Sequence, residues 1–264
     1  MDLTGEVAVV TGGRRGIGKA IAEMLHKAGA RVAIADLDAT QAHEVGKACG
    51  GFGARVDVTR EDQIAAFLTD VEGRLGPVDI YVSNAGIAMA DGPTFTATGA
   101  PNDAWQLSWQ VNVMSSVYGA RHVVPGMISR GGGSFMIVAS AAGLLNQLGA
   151  APYSCTKHAA VSFAESLSIA HAHEGLQVLC ICPQGVQTDL IRGAEASLRA
   201  AGDIIDPDDV AQAVMNAMED GRMFVFSHPE TTAHFQARAA DPDAWVKRMG
   251  LARQMLIAQT GRPI

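Results

Sequence analysis

A four-residue apolar run, Val7-Ala8-Val9-Val10, breaks into Thr11-Gly12-Gly13-Arg14-Arg15-Gly16-Ile17-Gly18. Helical spacing follows at once through Ile21, Met24 and Leu25, and Gly29 stops it. The run reads as a buried parallel strand, the glycines as a tight turn and the periodic segment as a helix. Glycines at such a turn let the backbone approach a pyrophosphate, and the helix N-terminus offers it free N–H groups and a positive dipole end. The spacing is G-x-x-x-G-x-G rather than G-x-G-x-x-G. A Gly-rich turn alone is equally a structural loop. Its place between first strand and first helix points to a dinucleotide site, with Gly12, Arg15, Gly16 and Ile17 as candidate contacts. No Lys-Ser or Lys-Thr closes the loop, which disfavours a P-loop triphosphatase.

The same alternation continues along the chain. Arg31 to Ala35 reads as a second strand ending at Asp36, and a polar helix leads to Ala54-Arg55-Val56 and Asp57. Thr59-Arg60-Glu61-Asp62 looks like an N-cap signature opening a helix through Ile64, Phe67, Leu68 and Val71. Strands are expected at Val78–Val82, Ser134–Ala139, Gln177–Cys182 and Phe224–Phe226, with a long helix over Asp103–Ile128. Pro152 is expected as the first residue of a helix running to about His173, and Asp206-Pro207 starts another to Met218. There is no repeat and no low-complexity linker. The pattern predicts an α/β fold, a doubly wound parallel sheet of about seven strands, Rossmann-like and single-domain. Residues 1–226 would form the dinucleotide-binding and catalytic part. Residues 227–264, helical in part (Trp245 to Leu256), would extend it, covering the site or packing on a neighbouring subunit. Ligands in such sheets bind at the carboxyl ends of the strands, at the switch point. Gly12, Asp36, Asp57, Asn84, Ser140 and Pro183 all fall at those ends.

The 264 residues are 48% apolar and 18% charged, ample for a large core. Net charge is -7, with no basic stripe, so nucleic acid is a poor partner. The start Met1-Asp2-Leu3-Thr4 lacks a secretory pattern, and no stretch has the length to span a bilayer. A soluble, cytoplasmic protein is expected. The four cysteines, Cys49, Cys155, Cys180 and Cys182, form no Cys-x-x-Cys pair and read as buried free thiols. His171 and His173 are too closely spaced to share a helix face, and no metal site is expected.

Asp36 stands where a carboxylate binds the adenosine ribose hydroxyls of NAD and repels a 2′-phosphate. It reads equally as a helix N-cap before Leu37-Asp38. Arg14 and Arg15 pull towards NADP, but a carboxylate facing a phosphate dianion is costly, so NAD is favoured over NADP.

Tyr153-Ser154-Cys155-Thr156-Lys157 sets a phenol and an ammonium four residues apart on one helix face. A free phenol has a pKa of ~10, too high for proton transfer at neutral pH. A nearby ammonium favours the phenolate. The phenol would then exchange a proton with an alcohol or carbonyl oxygen while hydride moves to or from a nicotinamide. Ser140, at a strand end, could hold the same oxygen. Alone, a Tyr-x-x-x-Lys pair is an ordinary helix-surface pairing; its order after the turn and the serine makes it specific.

From about Leu3 to Asp220 the chain resembles the short-chain dehydrogenase/reductase family. Thr11–Gly18 is similar to the family's T-G-x-x-x-G-I-G, and Asn84-Ala85-Gly86 to its N-A-G. Asn112, Ser140, Tyr153 and Lys157 match its catalytic tetrad in order and spacing. The resemblance implies Tyr153 as general acid/base and Ser140 orienting the substrate oxygen. Lys157 would lower the tyrosine pKa and bind the nicotinamide ribose, and Asn112 would hold a relay water. It places Leu37 with Asp36, Asp57 and Val58 on the adenine side, and Asn84, Ala85 and Gly86 along the adenosine. The family's P-G-x-V-x-T contacts the nicotinamide amide; here it reads Pro183-Gln184-Gly185-Val186-Gln187-Thr188. Pro183, Gly185, Val186 and Thr188 are carried over as cofactor contacts. Gln184 replaces glycine and would face either substrate or solvent. A homo-oligomer, tetramer or dimer, is implied through the two long helices.

Gly143 to Gly149, with Met89, Leu190 and Ile191, is expected to line the substrate side. It is apolar with two amides and no charge, which suggests a neutral, fairly apolar secondary alcohol or ketone. The leucines could instead be loop core. Arg192 and Arg199, in an expected lid from Thr188 to Asp206, leave an anionic acyl thioester open. A same-scaffold dehydratase, epimerase or lyase, and a non-catalytic dinucleotide sensor, also remain open.

Overall fold

The computed structural model describes residues 1–92, 96–191 and 202–261. Arg192 and Arg199, and with them most of the expected lid, lie outside the described residues. The first strand, β1 (Val7–Thr11), is buried along its whole length. It pairs in parallel with β2 (Arg31–Asp36) on one side and β4 (Ile80–Ser83) on the other, with Val9 opposite Ala33 and Tyr81. Beyond β2 lies β3 (Gly53–Arg55); beyond β4 lie β5 (Gly133–Val138), β6 (Leu176–Ile181) and, at the far edge, β9 (Phe224–Val225). The sheet order is β3-β2-β1-β4-β5-β6-β9, so chain direction across the sheet reverses between β1 and β4. Two short strands, β7 (Gly185–Val186) and β8 (Ile204–Ile205), form a separate ribbon above the carboxyl edge of the sheet.

Side chains alternate across the pleat, and each face of the sheet owns a core. Ala8 and Val10 join Ile21 and Leu25 of α1 (Gly16–Lys27), Ala42 of α2 (Ala39–Ala48) and Val214 of α8 (Pro207–Asp220). Val7 and Val9 face the other core. It takes Phe67 of α3 (Glu61–Leu75), Met127 of α5 (Ser115–Ser129) and Ala164 of α7 (Ala151–His171). Fully burying each such aliphatic side chain stabilises the fold by about 1.5–3 kcal/mol before entropy is counted.

Several local readings change. α3 starts at Glu61, and Thr59 does not cap it. Instead Asp57 Oδ1 accepts from the Thr59 amide at 3.0 Å and from its hydroxyl at 2.7 Å, closing a tight turn just before the helix. The expected single helix over Asp103–Ile128 is divided. α4 (Asn102–Trp109) passes through a wider π turn, Gln110–Met114, before α5 resumes. In α7 Ala151 precedes Pro152, which occupies the second helical position and needs no hydrogen-bonded N–H there. Cys155 is exposed, on the outward side of α7, whereas the other three thiols are buried. The segment after Phe226 forms two helices, α9 (Pro229–Ala240) and α10 (Pro242–Thr260). Trp245 joins the core beside the sheet, which fixes this segment to the domain. No described helix is long and apolar enough to cross a membrane.

Candidate active site

A cleft of about 830 Å³ opens along the carboxyl ends of β1, β4, β5 and β6. Its floor at the switch point is backbone. Gly12 has φ +63, and a Cβ there would stand 2.9 Å from Ala85 Cα. Asn84 Nδ2 donates to the carbonyls of Thr11 and Gly12, each at 2.9 Å, so its amide ties the two loops together. A Cβ on Gly18 would lie 2.3 Å from that nitrogen. No side chain caps the N-terminus of α1, where Arg15 is the preceding residue.

The residues expected on the adenosine side, Asp36, Leu37, Asp57 and Val58, do not line this cleft. Asp36 ends β2 with only 9% exposure, and Leu37 beside it is 61% exposed. Arg14 Nε lies 3.1 Å from Asp36 Oδ1, and the Arg14 amide donates to Oδ2 at 3.3 Å. The same guanidinium donates to Gln41 at 3.2 Å. Asp36 is thus not the cap of α2; Asp38 is, accepting from the Gln41 amide at 3.1 Å. Arg15 pairs with Asp189 across the cleft mouth. Asp57 is engaged with Thr59, and Val58 is buried beside it.

On the other side of the switch point the structure brings Ser140, Tyr153 and Lys157 onto one wall. Ser140 follows β5; its hydroxyl accepts from the Ala142 amide at 3.1 Å and donates to the Pro183 carbonyl at 3.5 Å. Lys157 is 4% exposed, and its Nζ donates to the Val138 carbonyl at 2.8 Å and sits 5.7 Å from the Tyr153 ring centre. Burial pulls the lysine pKa down to about 8, against the opposing influence of Cys182 and Cys180 behind it. Burial pushes the Tyr153 phenol up, and the polar Ser140 hydroxyl nearby draws it back only in part. This reverses the expected direction. A largely desolvated ammonium beside a buried phenol does not overcome the cost of burying a phenolate.

Asn112 lies in the π turn. Its Nδ2 donates to the Ile87 carbonyl at 2.9 Å and to the Thr156 hydroxyl at 3.0 Å, and its Oδ1 accepts from the Ile87 amide at 2.9 Å. Both amide protons are used, so only its oxygens remain for a water. A Cβ on Gly86 would be 3.4 Å from both Asn112 Oδ1 and Lys157 Nζ, which places the three groups together.

Pro183, Val186 and Thr188 form the opposite wall, and Met89, Leu190 and Ile191 line it as expected. Residues 143–149 do not line the cleft. Leu144 and Leu145 of α6 (Ala142–Leu145) belong to the core, because α9 and α10 cover them. Arg238 donates to the Leu144 carbonyl and lies 2.9 Å from His158 Nε2, and Trp245 Nε1 donates to the Leu145 carbonyl at 3.3 Å. Gln184 lines the cleft, and its Oε1 accepts from the buried Thr231 hydroxyl at 3.3 Å. His228, 1% exposed, was not singled out in the sequence. The available signal is Pro229, a helix-start residue that makes the preceding position a cap. Among the described residues no cluster of three or more His, Cys, Asp or Glu could hold a metal ion.

The short chain dehydrogenase family model matches residues 6–199. Cis-4-hydroxycyclohexanecarboxylate dehydrogenase of Sinomonas cyclohexanicum is 31% identical over 83% of this chain and 91% of its own length. Borneol dehydrogenase, mitochondrial, of Lavandula x intermedia is 29% identical over 86% of this chain and 88% of its own. A short chain dehydrogenase/reductase from Burkholderia phymatum, solved in complex with NAD, superposes with a TM-score of 0.80 at 26% identity, over 92% of this chain and 96% of that one. The fold is the Rossmann-like sheet of these proteins, and the reaction class is oxidoreduction of CH–OH or C=O groups with a nicotinamide dinucleotide. The chain belongs to the short-chain dehydrogenase/reductase family.

Proposed function

We propose that this enzyme oxidises a neutral, fairly apolar secondary alcohol, or reduces the matching ketone, with NAD(H), and that Tyr153 is its general acid/base. The observation that carries the reading is the cleft lining that brings Ser140, Tyr153 and Lys157 together, with the phenol and the lysine both buried. When bound, the nicotinamide gives or takes the hydride. Ser140 holds the substrate oxygen, and the Tyr153 hydroxyl moves a proton to or from it. Lys157 fixes the ribose of the cofactor and, once a charge is drawn to its neighbourhood, steadies the phenolate. Asn112 ties Ile87 to Thr156 and keeps α7 against the 84–88 loop.

The residues present fit a dinucleotide. The start of α1 carries no side-chain cap, and the positive φ of Gly12 and the close approach at Gly18 keep side chains off the turn, which suits a pyrophosphate at the helix N-terminus. Asp36 and Asp38 oppose the single Arg14 at the ribose end, so the local charge disfavours a 2′-phosphate. Leu37 offers an apolar surface to the adenine. On the substrate side Ile87, Ala88, Met89, Leu190 and Ile191 are apolar. Borneol, named for one relative, agrees with that lining, whereas the hydroxycyclohexanecarboxylate named for another shares the cyclic alcohol but carries a carboxylate. A screen of cyclic secondary alcohols and ketones with both cofactors, followed by absorbance of the reduced nicotinamide, tests this. A higher kcat/KM with NADP than with NAD removes the cofactor assignment, and turnover confined to charged thioesters removes the substrate class.

A further inference from the structure

Two backbone groups of the segment that replaces P-G-x-V-x-T turn away from the cleft and into a histidine. The Gln184 N–H donates to His228 Nδ1 at 3.2 Å, and His228 Nε2 faces the Gly185 carbonyl at 3.0 Å. An amide N–H only donates and a carbonyl only accepts. The ring therefore carries its hydrogen on Nε2 and spends both nitrogens on one loop. Ser227 Oγ lies 3.0 Å from the same Nδ1. Thr231, one turn into α9 and fully buried, donates to Gln184 Oε1 at 3.3 Å. Three bonds thus run from the start of α9 to Gln184 and Gly185. Gln184 itself and its neighbours Pro183, Val186 and Thr188 line the cleft. A glycine at 184 would have no side chain for Thr231, so the departure from the family pattern and the histidine belong to one device.

We infer that His228 is a positioning residue for the nicotinamide end of the site. It sets the peptide planes of Gln184 and Gly185, and through them the wall formed by Pro183, Val186 and Thr188. This rests on the function proposed above and adds to it a residue from the C-terminal segment. The adenosine end is built from β1, β2 and the 11–18 turn, on the other side of the switch point, and has no part in these bonds. Removing the ring leaves a part-buried N–H and a buried carbonyl unpaired, a state the loop relieves by rearranging.

NADH and ADP-ribose, which lacks the nicotinamide, are titrated into the wild-type protein and into H228L, H228Q and H228N. In H228L the NADH affinity falls about ten-fold while ADP-ribose stays within about twofold, the loss of one or two hydrogen bonds at one end of the ligand. H228Q keeps a donor for the Gly185 carbonyl and H228N an acceptor for the Gln184 amide, so each recovers part of the loss. If H228L does not fold, these two carry the comparison. NADH affinity at the wild-type level in all folded variants overturns the inference. So does a parallel fall in NADH and ADP-ribose affinity, the mark of a merely structural histidine. Wild-type protein that binds ADP-ribose but not NADH sinks the proposed function and this role together; wild-type NADH binding that the variants leave intact sinks only this role.

Discussion

The two ends of the cleft are built by different means. The end proposed to hold the adenosine is largely local: Thr11 to Gly18, Asp36 and Asn84 sit at the ends of three adjacent strands and bond to one another, with Arg15–Asp189 linking them to the facing wall. Its shape is mostly backbone, and glycines allow the approach. The catalytic end is assembled from distant segments. Tyr153 and Lys157 come from α7, Ser140 from the end of β5, and the facing wall from residues 183–191. That wall and α6 are held from behind by His228, Arg238 and Trp245, which lie up to 100 residues away in sequence. It also buries a lysine and a tyrosine side by side. The difference teaches where perturbation should act. Damage to the local end weakens the grip on any ligand containing the adenosine and pyrophosphate. Damage to the assembled end changes chemistry and leaves that grip intact.

The sharpest break is Tyr153→Phe. The ring still fills its place between Ala142 and Ala150, and only the hydroxyl is lost. Turnover with the best secondary alcohol is expected to fall by about 10²–10⁴-fold, the span of general acid/base contributions. ADP-ribose and NADH affinity, measured by titration, should stay at the wild-type level. Unchanged turnover removes Tyr153 from the chemistry.

Gly18→Ala tests the other end with a smaller effect. The new methyl meets Asn84 Nδ2 at 2.3 Å and the Gly12 carbonyl at 2.6 Å, and the second of these is backbone that has little room to give. A loss of about 1–3 kcal/mol in urea unfolding is expected, as for other overpacked sites. ADP-ribose and NADH affinities should fall together, unlike the divergence predicted for His228. A variant that folds normally and loses only NADH binding would erase the distinction between the two ends.

This asymmetry also explains what could be read from the sequence. The sheet was legible because buried parallel strands are short apolar runs and each ends in a residue with a job: Val7–Val10 before Gly12, Val78–Val82 before Asn84. The Tyr153–Lys157 spacing is a one-helix property and was equally visible. The direction of the tyrosine shift was not, because it depends on how completely α7 and the cleft wall exclude water. The pairing of Arg14 with Asp36 and the tie of Asp57 to Thr59 are side-chain choices that composition leaves open. The burial of Leu144 and Leu145 was hidden for a different reason. It is decided by Arg238 and Trp245, on helices that propensity alone resolves only in part.

The smallest effect is the one that most directly probes the assembled end. Lys157 in the folded chain has its pKa pulled to about 8, against 10.5 for a free lysine. Between those values the unfolded chain holds a proton that the folded chain has released. The unfolded state binds more protons there, so stability rises with pH through that window and falls as pH drops towards about 8. Below it both states are protonated and the cost of burying the charge is constant. Burial raises Tyr153 and Tyr81 above the ordinary 10.0, and these act in the opposite sense once unfolded tyrosines ionise. Burial of Cys49, and the Cys182 thiol together with burial at Cys180, raise these thiols above the ordinary 9.0, and they too act in the opposite sense. Between pH 8 and 10 only a comparison with a lysine variant therefore isolates Lys157. One group contributes a slope of at most about 1.4 kcal/mol per pH unit. Lys157→Met should remove that slope, so the difference between wild-type and variant stabilities, measured by urea unfolding, changes with pH across the interval, the wild type gaining on the variant as pH rises. Parallel curves would mean that Lys157 keeps its proton in the folded chain. Its ammonium would then be available to steady the phenolate before any cofactor binds, and the catalytic end would be less dependent on burial than the comparison holds.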